Sequence, residues 1–369
     1  MAVKYPYNLD KKKRELAGRY SRARIAGYIL NNFIITLAFL YAFTASGMNA
    51  SLYSSMGLSG VAGIAVYGFA VLAMLSASNL PLRFYFTYVY EHKYGLSNFR
   101  IGGWAKDYLK GLAVSYAFIL PAIIAFYLIT PLGGWWIYAG AAYFFANAFS
   151  NFIYPVAVTP LFYKLRAYRD KVHRKKILDM LKRAGVGGIE GVYIADESRK
   201  SKKPNAMFSG FGKTKRIVLF DTLTRFFAKD EVETVIAHEV AHYVNKDITR
   251  FIILETAKML AIFWAMDRIA AVYGISLTNA ASLPFVFAVY LVIDFLLMPA
   301  VNWYSRRREH HADLFALRTA KKKKAQISAE KRLADMALSS VPHPLIEAWF
   351  YTHPNFMKRI EMCKKWKKS

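Results

Sequence analysis

Five consecutive residues, His238-Glu239-Val240-Ala241-His242, have the types and spacing needed for metal chemistry. On a helix, residues four apart lie one turn above each other on the same face, so both imidazoles can reach one zinc ion. Glu239 lies beside them and can accept a proton from a zinc-bound water and pass it to a leaving amine. The motif therefore predicts hydrolysis of a peptide bond by metal-activated water. The alternative is an ordinary helix with surface histidines.

A catalytic zinc needs three protein ligands and an open position for water, so a third ligand must come from elsewhere in the chain. The segment Ser305–Asp313 offers Glu309, with His310 and His311 as competing ligands. Asp313 lies four residues after Glu309 and shares its helix face, where it can orient a ligand histidine. Alternatively, both carboxylates pair with neighbouring arginines on a solvated face.

The motif requires a helix, and the sequence around it predicts one. Apolar residues from Val232 to Val240 follow helical spacing, and Asp230 with Glu233 could form a capping box at the start. The region before it predicts a helix at Arg169–Ala184 and short strands at Gly191–Ala195, Asn205–Phe211 and Arg216–Phe220.

The composition indicates a membrane protein. The chain has 369 residues, of which 55% are hydrophobic, and its mean hydropathy is +0.19; soluble chains usually contain about 45–50% apolar residues. The formal net charge of +27 suits nucleic acid, anionic lipid or the cytoplasmic side of a membrane. The single cysteine, Cys363, excludes an intramolecular disulfide and a cysteine-rich zinc site.

Six segments are long and apolar enough to cross a bilayer, which needs about 20 residues each. They are Ile25–Ala45, Leu58–Leu80, Gly111–Thr130, Trp135–Val158, Phe251–Ile275 and Leu283–Tyr304. Lys and Arg concentrate in alternate connections, which predicts that both termini and the large basic segments are cytoplasmic. Because this topology explains the basic charge, nucleic acid is not predicted as a partner.

We therefore predict a mainly α-helical, polytopic membrane protein with about six transmembrane helices. Residues 1–160 would form an N-terminal arm and four spans, and residues 161–250 a cytoplasmic insert with a small β-sheet and the zinc-binding helix. Residues 251–304 would form spans five and six, and residues 305–369 the C-terminal catalytic helices. The metal site would then lie at the cytoplasmic membrane face.

Spans five and six carry five charged residues: Glu255, Lys258, Asp267, Arg268 and Asp294. Each would cost about 2.5–3.5 kcal/mol at the centre of a bilayer. They are expected to face the protein interior or water. They would either form ion pairs between the two spans or line a water-filled cavity that opens onto the zinc.

Several segments resemble the type I CAAX prenyl endopeptidases, which are integral-membrane zinc proteases related to the HtpX-type membrane proteases of bacteria. The resemblance covers most of the chain. It rests on the motif at 238–242, on Ser305–Asp313, on Tyr351-Thr352-His353-Pro354, on Asn205–Phe211, on Lys215–Leu223 and, more weakly, on Tyr90–Leu96. Two departures are the span count, six where the family usually has seven, and Pro204, where a short polar residue is usual.

The resemblance implies roles for the catalytic residues. His238, His242 and Glu309 would bind one zinc ion, which selects Glu309 over the two neighbouring histidines. Glu239 would be the general base and acid. Asp313 would orient a ligand histidine.

The resemblance also implies where the substrate binds. His353 and Arg359 would lie near the scissile carbonyl, where either could stabilise the oxyanion. Asn205–Phe211 would be an edge strand that pairs with an extended substrate through Asn205, Ala206 and Met207, and Asn205 would hold the substrate or the oxyanion.

The predicted function is an integral-membrane zinc metalloendopeptidase that acts on CAAX-type peptides or on other lipidated or C-terminal peptide substrates. It would reside in the cell membrane of a prokaryote or the endoplasmic reticulum of a eukaryote, in contact with membrane lipid. An HtpX-like quality-control protease shares every catalytic residue and stays an alternative. A metal-sensing channel or transporter is the non-enzymatic alternative, but transport does not need three ligands and a base.

Overall fold

The computed structural model describes residue 3 and residues 5–210 and 215–367, and it is mainly helical, as predicted. The helices are α1 (Lys11–Ile29), α2 (Thr36–Ala45), α3 (Met48–Ser55), α4 (Gly60–Phe84), α5 (Tyr90–Lys93), α6 (Ile101–Ile129), α7 (Trp135–Ile153), α8 (Thr159–Phe162), α9 (Lys171–Arg183), α10 (Asp221–Phe226), α11 (Lys229–Val244), α12 (Asp247–Val272), α13 (Leu283–Ala320), α14 (Lys323–Met336), α15 (Pro344–Phe350) and α16 (Phe356–Lys365). Short π-helical turns join α1 to α2, α4 to α5 and α7 to α8.

Four continuous helical stretches among the described residues are long and apolar enough to cross a membrane. They are Lys11–Ala45, Gly60–Lys93, Ile101–Ile129 and Ala280–Ala320, and they match the first, second, third and sixth predicted spans. The other two predicted spans fold as α7 and α12, which are not among these four stretches; α7 carries two asparagines and α12 carries charged side chains. The count of six spans therefore stays a prediction.

The charged residues of α12 and α13 contact one another or a neighbouring helix. Lys258 Nζ lies 2.6 Å from Glu255 and 2.8 Å from Asp294, so an ion pair connects α12 to α13. Asp267 pairs with Arg268 and accepts a hydrogen bond of 2.8 Å from the indole of Trp135 on α7. These contacts favour the first of the two predicted arrangements, ion pairing between helices.

The small sheet has four strands, β1 (Leu165–Ala167), β2 (Ile189–Ala195), β3 (Ala206–Ser209) and β4 (Lys215–Phe220), in the order β1-β2-β4-β3. The strands β2 and β4 pair in parallel, and the other two pairs are antiparallel. The three predicted strands are present; Phe211, the predicted end of β3, lies outside the described residues. The short β1 was not predicted, because three residues carry too little alternation to be recognised.

Helix α11, which carries the motif at 238–242, is buried among the sheet and the neighbouring helices. Ile236 and Val240 pack in one cluster with Ile217 and Leu219 of β4 and with Ala316 of α13. The motif helix is therefore held between the sheet and the last long helix.

The predicted start of this helix is wrong. The cap is Ala228, whose backbone N–H donates to Glu231 Oε2 at 2.7 Å. Asp230 lies inside the helix, and Glu233 instead pairs with Lys176 at 3.0 Å. The helix begins earlier because the buried carboxylate of Glu231 is also bound by side chains of α14, which the local sequence cannot reveal.

Candidate metal centre

His238 and His242 on α11 meet Glu309 on α13, and one ligand atom from each lies within 4.8 Å of the others. His238 Nε2 is 3.1 Å from Glu309 Oε2, and His242 Nε2 is 3.4 Å from Glu309 Oε1. The competing candidates His310 and His311 are exposed and do not belong to this group. The packing of α11 on α13 thus brings together the three predicted ligands.

Each histidine is oriented by a buried aspartate. His238 Nδ1 lies 2.9 Å from Asp313 Oδ1, and His242 Nδ1 lies 2.9 Å from Asp247 Oδ2. A carboxylate acceptor keeps a proton on Nδ1 and turns Nε2 toward Glu309. Asp313 thus contacts a candidate ligand histidine, and its orienting role stays a prediction. The sequence analysis did not identify Asp247 as the partner of His242, because Asp247 belongs to the next helix and no helical periodicity relates it to the motif.

The residues present fit a divalent cation. Glu309 Oε2 is buried and accepts no hydrogen bond among the described residues. Burial lowers the pKa of His238, but the neighbouring carboxylates of Asp313 and Glu309 outweigh burial and raise the pKa to about 10. The site therefore favours positive charge beside Nε2. Two imidazole nitrogens and one carboxylate form a donor set that is typical of catalytic zinc.

Glu239 faces a cavity of about 150 Å³ next to this group. The cavity is also lined by Asn205, Ala206, His238, His353 and Arg359. Burial raises the pKa of Glu239, while the two imidazoles oppose the shift. A carboxylate whose basicity is raised in this way is suited to accept a proton from water.

His353 lies at the rim of the cavity, in the turn between α15 and α16. Its Nε2 is 3.3 Å from Glu309 Oε1, and Thr352 Oγ1 lies 2.8 Å from its Nδ1. The imidazole is largely exposed and can reach a substrate bound beside Glu239.

The Arg359 guanidinium lies behind His238 and is held by carboxylates. Its Nε and Nη2 donate to Asp313 at 2.8 and 2.6 Å, and Nη2 is 3.0 Å from Glu330. Burial raises the pKa of Glu330 to about 7, even though Arg359 opposes the shift. These contacts indicate that Arg359 positions Asp313 and His238. They do not favour its predicted role as a hydrogen-bond donor to the oxyanion. The sequence did not indicate a role for Glu330, because this residue belongs to α14 and no recognisable motif surrounds it.

The strand β3 presents one unpaired edge beside the cavity. It pairs with β4 on its other side, and no further strand pairs with it among the described residues. Asn205 and Ala206 line the cavity, whereas Met207 packs against the apolar cluster on the opposite face of the sheet. The side chains of a strand alternate between faces, so Met207 can contribute only its backbone.

Two family models together match nearly the whole described chain. The model for peptidase family M48 matches residues 168–367, and the model described as "CAAX prenyl protease N-terminal, five membrane helices" matches residues 6–164. The chain belongs to peptidase family M48. It is an integral-membrane metalloendopeptidase, and the predicted resemblance is confirmed.

Known proteins similar to this M48 chain include "Uncharacterized metalloprotease YhfN" of Bacillus subtilis, 28% identical over 74% of this chain and 66% of that protein. "CAAX prenyl protease 1" of Saccharomyces cerevisiae is 27% identical over 76% of this chain and 68% of its own length. The matches thus span about two thirds of these relatives. The crystal structure of S. mikatae Ste24p has the same fold, with a TM-score of 0.85 at 24% identity over 98% of this chain and 91% of that one.

Proposed function

We propose that His238, His242 and Glu309 hold a zinc ion and that Glu239 is the general base and acid of peptide hydrolysis. The observation that carries the proposal is the convergence of three ligand atoms within 4.8 Å, with both imidazoles fixed by aspartates. A bound zinc ion would polarise the scissile carbonyl and lower the pKa of a water beside it.

Three side chains would each have one task in the reaction: proton transfer, stabilisation of the oxyanion, and orientation of a metal ligand. Glu239 accepts a proton from the attacking water and delivers it to the leaving amine nitrogen. His353 donates a hydrogen bond from Nε2 to the carbonyl oxygen as negative charge develops there. Arg359 compensates the charge of Asp313, so that the acceptor of His238 stays ionised.

The substrate is an extended peptide that pairs with the unpaired edge of β3. Asn205 and Ala206 lie beside Glu239 in the same cavity, so a backbone added to this edge passes the general base. We assign the substrate class to CAAX-type or other lipidated C-terminal peptides. This assignment rests on the similarity to yeast CAAX prenyl protease 1 and on the family model of the N-terminal half.

The metal centre is assigned to the cytoplasmic membrane face, because the basic loops surround it. Labelling of a cysteine introduced at the exposed Lys182, in right-side-out and inverted vesicles, tests this orientation. Labelling from the outer side would reverse it.

The catalytic assignment is tested with Glu239→Gln. The variant should bind zinc in the same amount as the wild type and lose about 10²–10⁴-fold in peptidase rate, the usual contribution of a general acid-base group. Glu361→Gln, which changes an exposed carboxylate, is the matched control. Cleavage at the normal rate by the Glu239 variant would refute the role.

The substrate class is tested with three substrates at the same concentration, each with and without a chelator. They are a farnesylated CAAX peptide, the same peptide without the lipid, and a denatured membrane protein. Preferred, chelator-sensitive cleavage of the farnesylated peptide is expected. Preferred cleavage of the denatured protein would instead assign the HtpX-like quality-control role.

A further inference from the structure

A second cavity, of about 480 Å³, lies between two long apolar helices and the soluble region. Its walls come from Arg83–Glu91 at the end of the stretch Gly60–Lys93, from Trp104–Ser115 at the start of α6, and from Glu197–Lys203 after β2. It shares no lining residue with the cavity at the metal centre. The metallopeptidase activity therefore does not account for it.

One carboxylate oxygen of Glu197 in this cavity lacks a donor among the described residues. The residue is only 8% exposed, and its Oε2 is buried without a hydrogen bond among the described residues. Burial raises the pKa of this carboxyl to about 7, although a hydrogen bond from Tyr163 and the charge of Lys200 oppose the shift. A buried carboxylate oxygen without a partner is costly, so a cationic donor from a ligand would stabilise the site.

Arg83 supplies a free cation to the same cavity. Arg83 is an exposed residue whose guanidinium carbon lies 5.7 Å from the ring centroid of Tyr108, and no carboxylate of the described residues forms an ion pair with it.

The other charges that line the cavity are compensated. Lys200 pairs with Asp107 at 2.6 Å, and Glu91 pairs with Lys203 at 2.8 Å and with Arg24 at 3.3 Å. The cavity is thus left with one unpaired guanidinium and one unpaired carboxylate oxygen.

We propose that this cavity binds a zwitterionic phosphate–ammonium head group, such as that of phosphatidylethanolamine. The phosphate contacts Arg83, since a guanidinium matches phosphate oxygens in geometry and charge. The ammonium group contacts Glu197 and satisfies its unpaired oxygen.

A membrane lipid is the favoured source of this head group. The cavity lies at the ends of two candidate membrane spans, and Trp104 and Tyr108 in its wall are residue types enriched at membrane–water interfaces. The same helices carry exposed apolar side chains, such as Val89 and Leu109, along which acyl chains can lie.

The test uses the purified full chain in detergent and monomeric dihexanoyl phosphatidylethanolamine, with binding measured by calorimetry. Glu197→Gln and Arg83→Gln should each weaken binding by about tenfold or more, the effect of losing one charge-assisted contact. The matched controls Glu15→Gln and Arg100→Gln change exposed residues outside the cavity and should leave the affinity unchanged.

Three further ligands separate the sources and the two contacts. Dihexanoyl phosphatidylglycerol lacks the ammonium group and should bind more weakly, with sensitivity to Arg83→Gln but not to Glu197→Gln. Free phosphoethanolamine should bind more weakly than the lipid; equal affinity would overturn the membrane source. A trialanine peptide that binds more tightly than the lipid, and is weakened by the same variants, would overturn the head-group assignment.

Equal lipid binding by the wild type and both cavity variants would also overturn the proposal. Because Arg83 is exposed, Arg83→Gln should keep the fold. If Glu197→Gln lowers the melting temperature, lipid binding by Arg83→Gln decides whether the proposal holds. The Glu239→Gln variant should bind the lipid normally, so loss of peptidase activity and loss of lipid binding can be distinguished.

Discussion

Asp247→Asn changes the acceptor of His242 with little change in shape. Asp247 is 2% exposed, accepts the Nδ1 proton of His242 at 2.9 Å, and pairs with Arg308 Nε at 2.6 Å. The amide oxygen of asparagine can still accept one hydrogen bond, but the negative charge is lost. His242 then becomes a weaker ligand, and Arg308 loses its carboxylate partner.

The expected effect on zinc follows from these contacts. Substitution of an acceptor that orients a metal ligand costs about 10–100-fold in affinity, which is about 1.4–2.7 kcal/mol. Asp247→Asn should therefore bind zinc about 10–100-fold more weakly. At zinc concentrations that saturate the variant, much of the peptidase activity should return, because Glu239 and Glu309 are unchanged.

The assay is a zinc titration of the metal-free protein against a competing fluorescent chelator. Asp179→Asn changes an exposed aspartate on α9 and is the matched control. Thermal unfolding of the metal-free proteins separates a general loss of stability, through Arg308, from a loss at the zinc site. Wild-type zinc affinity in Asp247→Asn would refute the reasoning that this carboxylate orients His242.

Three further predictions concern other contacts. Arg359→Lys keeps the charge but loses the two-point contact with Asp313, so kcat should fall about tenfold or more while KM changes little, as steady-state kinetics can check. Lys258→Met leaves Glu255 and Asp294 without their cation, so unfolding in detergent should be easier by about 1–3 kcal/mol, with the activity per folded molecule unchanged. Asn205→Ala removes the side chain that accepts from the Ala206 backbone at 2.9 Å beside the cavity, so KM for peptide should rise; a change confined to kcat would contradict the proposed substrate contact.

Local patterns predicted much of the fold, and the failures have local causes. The long apolar segments and the three longer strands were recognised because hydrophobic runs and alternation are properties of neighbouring residues. The strand β1 was missed because it is stabilised by pairing with β2 rather than by its own three residues. The start of α11 was placed wrongly because Glu231 is held by Ser328 and Arg332, about a hundred residues away.

By itself, the sequence determined the identity of the motif residues and their common face, because the spacing of His238 and His242 is a property of any α-helix. Only the tertiary structure decided what surrounds them. Asp247 and Glu330, which the sequence did not single out, belong to two other helices, and the packing of those helices places their carboxylates beside His242 and Arg359. The same packing turned Arg359 toward Asp313. Contacts between distant segments depend on shape and burial, which no spacing along the chain encodes.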